Sequence, residues 1–315
     1  MAGTIPVILS IDCEPDAREI PRGERPPWVG FETMLPAMSR WRGVLAEATG
    51  RPVRFVWAIR TDPGIAHVYG DAAWAFGHYR EALAELAAEG DEIGLHVHPW
   101  RWDETEGRWI ADYADEAWTD SCLRTAHEAA TRVLGRPIRC ARIGDRIMNN
   151  TMMRTMESLA ITYDLTLEPG QPPRQAMKDG EQTRGQVPDQ RRLRRKPYQP
   201  SRGDFRRRGW LFPRRLWFIP ITTGTPLGHV HGMANEIPEC QTILLGAPFE
   251  AVRPVIETAL HDRHQPYLAA VCRTDVRLDP FNCEQFDRTL DFLATHPMRR
   301  RFAFETPAAV VKRAG

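Results

Sequence analysis

The sequence is short of most features that would assign a chain quickly. It has almost no excess charge: 42 Lys and Arg against 41 Asp and Glu over 315 residues leave a formal net charge of +1. That balance argues against a uniformly basic, polyanion-binding surface. No stretch approaches the roughly 18 apolar residues of a membrane span, so no membrane partner is expected. The segment MAGTIPVILSIDCEPD has no basic region and too short an apolar run for a signal peptide. Cytoplasmic residence is therefore the expectation. Cysteine is sparse, and Cys13, Cys122, Cys140, Cys240, Cys272 and Cys283 are scattered without a CxxC pair. That scatter speaks against both a disulfide framework and a structural zinc knuckle. There is no solenoid-type repeat. No helix-turn-helix, RNA-recognition or zinc-finger pattern occurs, so nucleic acid is not an expected partner.

What is present is an ordinary globular composition, 42% hydrophobic and 26% charged, sufficient for a sizeable core. The length allows two domains or one α/β barrel with insertions. Short β-branched or apolar runs predict strands near 6–11, 53–58, 92–97, 138–142, 161–167, 216–222, 241–245, 267–272 and 301–304. Helical patterns fall between them, near 32–48, 79–89, 120–134, 150–159, 249–262, 283–295 and 306–313. Gly90 and Gly135 stand where helix-terminating glycines belong, and Asn150 and Thr306 where N-caps belong. Such alternation implies a mainly parallel sheet, open or closed into a barrel.

Residues 170–215 break this pattern. Between Arg191 and Arg215 there are eleven Lys or Arg and one acidic residue, Asp204, interleaved with Tyr198, Phe205, Trp210 and Phe212. The stretch reads as an insertion after the fifth strand, either a lid able to grip an acidic ligand or a partly disordered, solvated loop.

Candidate chemistry gathers at three strand ends, where α/β barrels keep their working residues. The first, SIDCEPD, carries Asp12, Cys13, Glu14 and Asp16; the third, EIGLHVHPW, carries His96 and His98; the fourth, ARIGDR, carries Arg142, Asp145 and Arg146. Residues two apart on extended chain share a face, so Asp12 converges with Glu14 and His96 with His98. Two imidazoles and a carboxylate suit a catalytic divalent metal, zinc foremost. A second carboxylate can take a proton from water, oriented by an arginine. An isolated HxH or DxE is a weak signal, since acidic residues commonly cap helices; it is their placement at three strand ends that strengthens the case. Cys13 reads as a small buried hydrophobe. Trp57 belongs to the core, whereas Trp100 and Trp102 flank the metal loop and are candidates for stacking on a ligand.

The segments VILSIDCEPD, GDEIGLHVHPW and CARIGDRIMNN…LAITYDLTLEPG together resemble the polysaccharide deacetylase family of carbohydrate esterases, in its divergent Asp-x-Glu form. The resemblance covers most of residues 5–170 and, more faintly, 216–310. It implies a single distorted (β/α)7–8 barrel over residues 1–315, with 170–215 as a long basic insertion. It also implies metal-dependent hydrolysis of an N-acetyl or related amide bond. Asp12 then matches the catalytic base, Glu14 the metal carboxylate, His96 the first histidine of an HxxxH motif and Arg142 the arginine that tethers the base. The WFIPIT strand matches a segment lining the sugar groove.

Two departures stand out. The family's second histidine would fall at Trp100, so His98 must substitute. Its last-motif histidine, the general acid, is replaced by Arg273, which cannot cycle a proton; Asp275 is placed to pair with it. His229 and His231 are spare candidates at the substrate site, beside Trp100, Trp102, Asp145 and Arg146. The expected ligand is a glycan or small molecule, an anionic one included. Two alternatives stay open: a barrel that binds a carbohydrate or anionic metabolite without hydrolysing it, and a metal-free glycosidase with paired carboxylates drawn from Asp12, Glu14 and Asp16.

Overall fold

The structure, a computed structural model, describes residues 3–20, 23–176, 182–225, 240–262 and 267–314. In chain order the strands are β1 (Ile5–Cys13), β2 (Val56–Arg60), β3 (Glu92–Val97), β4 (Trp100–Asp103), β5 (Arg108–Asp112), β6 (Cys140–Ile143), β7 (Tyr163–Asp164), β8 (Thr183–Arg184), β9 (Trp217–Phe218), β10 (Thr223–Gly224), β11 (Gln241–Thr242), β12 (Leu268–Arg273) and β13 (Phe302–Phe304). The helices are α1 (Val29–Thr49), α2 (Pro63–Tyr69), α3 (Trp74–His78), α4 (Arg80–Ala88), α5 (Glu116–Leu134), α6 (Asn150–Ser158), α7 (Phe249–Leu260), α8 (Pro280–Thr295) and α9 (Pro307–Ala314).

β1 is apolar on both faces except at Ser10 and Asp12, and a strand so composed must be covered on both sides. It lies inside a parallel sheet of order β12-β1-β2-β3-β6-β7-β9, with β13 paired to its first residues. The sheet curls into a half-barrel. Ile221 N–H donates to the Leu167 carbonyl at 2.8 Å beyond β9, and Thr222 N–H reaches the Ala269 carbonyl of β12 at 2.8 Å. These bonds carry the curl from one edge of the sheet towards the other.

Each expected strand and helix is found, with shifts that have local causes. α5 begins at Glu116 because the Asp115 carboxylate accepts from the Trp118 N–H at 3.0 Å. The cap of α6 is Asn149, not Asn150: its side chain accepts from Met152 N–H at 2.7 Å. β7 and β9 are only two residues each, shorter than the apolar runs around them. The hairpin β4–β5 was not foreseen; it turns where Gly107 adopts φ +61°. The short helices α2 and α3 were not foreseen either.

Part of the described 170–215 insertion is packed. Val187, Tyr198 and Phe205 are buried, Tyr198 bridges to Phe218, and β8 adds to β5. Buried Gln190 joins it to the barrel, its Oε1 accepting from Glu168 N–H at 2.6 Å and its Nε2 donating to the Arg146 carbonyl at 2.8 Å.

At the opposite, amino-terminal end of the strands, buried Asp91 accepts from Arg42 (2.6 and 3.0 Å), Phe55 N–H (2.9 Å) and Trp57 Nε1–H (2.8 Å). All six cysteines are free, and Cys13 is fully buried. Among the described residues no helix is long and apolar enough to cross a membrane.

Candidate metal centre and active site

Parallel register sets the site. Asp12 is aligned with Arg273 of β12, and His96 with Arg60 of β2 and Arg142 of β6, so the carboxyl ends of five strands meet at one place. Glu14 and His98 lie one residue past β1 and β3 and share a face with Asp12 and His96.

Glu14, His96 and His98 converge, all buried. His96 Nε2 lies 3.0 Å from His98 Nε2 and 3.5 Å from Glu14 Oε1, and His98 Nε2 lies 3.4 Å from Glu14 Oε2. The other ring nitrogens have acceptors. His96 Nδ1 faces the Arg142 carbonyl at 2.8 Å, and His98 Nδ1 faces the Asp145 carboxylate at 3.2 Å. Protons assigned to both Nδ1 atoms leave two Nε2 lone pairs pointing at each other across 3.0 Å, with a carboxylate beside them. That arrangement is repulsive unless a cation, either a metal ion or a proton on one Nε2, lies between the three groups. Four tetrahedral ligands at zinc distances of 2.0–2.1 Å are separated by roughly 3.3 Å, so the spacing fits a divalent ion. The backing of each imidazole by a carbonyl or carboxylate is the outer-shell arrangement of metal-binding histidines.

The surrounding charges hold these groups in place. Burial alone would raise the Glu14 carboxyl, but Arg273, His98 and the two imidazole hydrogen bonds outweigh it and hold the group well below the usual carboxylate range. Arg273 Nε is 3.4 Å from Glu14 Oε1, and Arg60 donates to Glu14 Oε2 at 3.1 Å. Burial opposes charge on His98 too, yet Asp145 and Glu14 raise its pKa above the usual imidazole value. Asp145 is driven far down against its burial by His98, Arg18 and the Trp100 Nε1–H bond of 2.7 Å. Asp145 and Arg146 both take positive φ, 56° and 57°, a conformation costing non-glycine residues ~1–3 kcal/mol each. The carboxylate's contacts to His98, Trp100 and Arg18 keep it there.

Asp12 stands beside the cluster. Arg142 Nε donates to its two oxygens at 2.8 and 2.9 Å, and the same guanidinium donates to the Leu165 carbonyl at 3.0 Å. Burial would lower Arg142, but Asp12 and Glu168 raise it, so its charge is secure. A cavity of about 670 Å³ opens over this group, lined as well by Arg146, Glu168, Gln171, Arg174 and Thr242.

The expected residues are thus distributed unevenly. Asp12, Glu14, His96, His98, Arg142, Asp145, Arg146 and Arg273 all border the cavity. Arg273 also pairs with Asp275 at 2.8 Å. Trp100 is buried beneath the site, holding Asp145, with Arg18 and Arg60 over its ring at 5.2 and 5.3 Å. Trp102 stacks on His67 and packs against Trp109, away from the cavity lining. Neither indole is set out to stack on a ligand. His229 and His231 lie outside the described residues. Sequence reasoning missed Arg60, Arg18 and Glu168. Arg60 ends β2, and Glu168 continues the period-two series Asp164, Thr166, Glu168 past β7, so the strand-end rule applied to every strand finds both.

No family model matches the sequence, and no curated relative is found for it. Solved structures do resemble it. A PuuE allantoinase aligns over 98% of this chain and 89% of its own, with 15% identity and a TM-score of 0.52. A protein assigned as a polysaccharide deacetylase from Pseudomonas aeruginosa PAO1 covers 98% of this chain and 90% of its own, at 15% identity and a TM-score of 0.51. One assigned as a glycoside hydrolase/deacetylase from Parabacteroides distasonis covers 96% and 69%, at 11% identity and a TM-score of 0.55. The chain therefore has the (β/α) barrel fold of the polysaccharide deacetylase type.

Proposed function

We propose that this chain is a metal-dependent hydrolase that removes an acetyl or similar acyl group from an amide nitrogen of a sugar or sugar-like molecule. The observation that carries the proposal is the buried convergence of His96 Nε2, His98 Nε2 and the Glu14 carboxylate, each imidazole backed on its other nitrogen. Neighbours of the same fold named as a deacetylase and as an allantoinase support the reaction class. Glu14, His96 and His98 would hold the ion, with zinc the first candidate for a donor set of two nitrogens and a carboxylate. A divalent ion supplies Lewis acidity there, polarising a carbonyl and making water more acidic.

The remaining work falls to this chain's own side chains. Asp12, fixed by Arg142, takes a proton from the attacking water. Arg273, at the cavity wall, can stabilise negative charge that develops on the carbonyl oxygen but cannot return a proton to the leaving nitrogen. Asp12 then serves both transfers, as base towards water and as acid towards the amine. The arginine at that position also favours a second reading, a barrel that binds a carbohydrate or anionic metabolite without turnover.

Metal analysis combined with variants separates the two. The purified protein should hold one divalent ion per chain, His98→Ala should lose it, and Asp12→Asn should keep it while amide hydrolysis falls by about 10²–10⁴. A protein that holds no divalent ion, and gains none on incubation, overturns the proposal. Hydrolysis that survives in Asp12→Asn removes that residue from the base role.

A further inference from the structure

The basic insertion carries a feature that the proposed chemistry does not use. Trp210, Leu211 and Phe212 are consecutive and 84%, 85% and 71% exposed, whereas the other exposed large hydrophobics of the described residues are Val29, Val44, Leu278 and Phe281. Three adjacent bulky apolar side chains in water are a costly arrangement and mark a binding surface. Their exposure is built in by the backbone. Gly209 N–H donates to the Gln199 carbonyl at 2.9 Å and Arg214 N–H to the Pro200 carbonyl at 3.1 Å, closing a neck beneath the tip. A Cβ on Gly209 would lie 2.6 Å from Pro213 Cα, so only glycine lets the two sides meet and leaves the three side chains outside. Behind the neck, buried Tyr198 and Phe205 pack on Phe218, and Arg214 pairs with Glu157.

The rim of this tip is cationic. Arg202, Arg206, Arg207, Arg208, Arg214 and Arg215 flank it with Asp204 as the lone acidic residue between 202 and 215. Guanidinium groups lie over the tip's own rings, Arg208 over Trp210 at 5.4 Å and Arg202 over Phe212 at 5.9 Å. Arg206 also borders a second cavity, of about 580 Å³, with Arg191, Arg192 and Asp189.

We propose that this tip docks the protein on an anionic lipid surface, Trp210, Leu211 and Phe212 entering the interfacial layer while the arginines meet lipid phosphates. An indole and a phenyl ring beside leucine suit the boundary between headgroups and acyl chains. Five exposed arginines within fourteen residues, Arg202, Arg206, Arg207, Arg208 and Arg215, match the charge of such a surface. A second copy of the chain is a poorer occupant. Exposed Glu104, Glu106 and Glu116 could meet the arginines, but the other exposed large hydrophobics of the described residues include no three in succession to receive the tip.

Co-sedimentation of the full chain with vesicles tests this, comparing phosphatidylcholine alone with phosphatidylcholine containing phosphatidylglycerol. Binding should be confined to the anionic vesicles and weaken as salt rises. Trp210→Ser/Leu211→Ser/Phe212→Ser should reduce it about tenfold or more, and Arg206→Gln/Arg207→Gln/Arg208→Gln should do the same. Both triple variants change exposed side chains, and melting curves matching the parent would show that folding is untouched. No binding to anionic vesicles overturns the proposal, as does binding that the apolar triple variant leaves unchanged. A dimer of the parent that the apolar variant dissociates, or RNA binding that outcompetes the vesicles, overturns it in favour of that partner.

Discussion

Asp164 is a carboxyl group with hydrogen bonds but no ion pair among the described residues. It is fully buried in β7, and its acceptors are used by Thr166, Oγ1 at 2.7 Å and N–H at 3.0 Å. Burial pushes its pKa up from 3.8 to about 7, against the weaker pull of Thr166 and Arg142. The sign of the consequence follows from proton counts. Between pH 4 and 7 the unfolded chain has released this proton and the folded chain has kept it, so stability falls as pH rises through that window and levels off above it. Asp164→Asn removes the penalty while keeping an acceptor for the Thr166 N–H. The variant should exceed the parent by at most ~4 kcal/mol at pH 8, with the gap closing near pH 4, in melting curves taken across that range. A parent more stable than the variant at pH 8 would contradict the assignment. This residue also shows what was legible. Asp12, Glu14, His96 and His98 could be read because period two and strand ends are local properties of the sequence. That Trp100 serves Asp145, or that Arg60 holds Glu14, depends on partners 45 and 46 residues away, which no local pattern encodes.

At the scale of elements, the turn from β6 to α6 does more than connect them. Gly144 lies against the His98 imidazole so closely that a Cβ there would overlap the ring. The next two residues take positive φ to bring Asp145 under the same ring. Gly144→Ala should therefore displace His98 and weaken divalent-metal affinity by about 10–100-fold, as losses of supporting contacts do. Competition with a chromogenic chelator measures this, and unchanged affinity would show that the ring can yield without cost. The sequence marks the turn's motif GDR only as a source of ligand contacts; its role as the support of His98 is not legible there because the φ values of Asp145 and Arg146 are set by tertiary bonds. Elements with strong periodicity were found nearly in place. The hairpin β4–β5 escaped because its strands are four and five residues long and rich in charge.

Across the whole molecule, stability and chemistry occupy opposite ends of the strands, a division known from barrels generally. The Asp91 carboxylate gathers Arg42, Phe55 N–H and Trp57 Nε1–H at the amino-terminal end. Asp91→Ala strands these donors and should cost about 3–5 kcal/mol, seen as a lowered melting temperature with metal content unchanged at temperatures where the fold persists. Loss of metal in the folded variant would show that the two ends are coupled.

The position of β1 has a further consequence, in time. β12 covers one flank of β1 from Val7 to Asp12, so the strand that carries Asp12 is completed by chain made more than 250 residues later. At 5–20 residues per second, β1 waits roughly 13–50 s for β12 after it is made. During that interval Ile5, Val7, Leu9 and Ile11 lack their final cover, and Glu14 has Arg60 beside it but not Arg273. The centre is consequently completed only once β12 has been made, and on the proposed metal role a ribosome-bound chain ending before residue 268 should retain a divalent ion more weakly than the full chain even with Glu14, His96 and His98 all present.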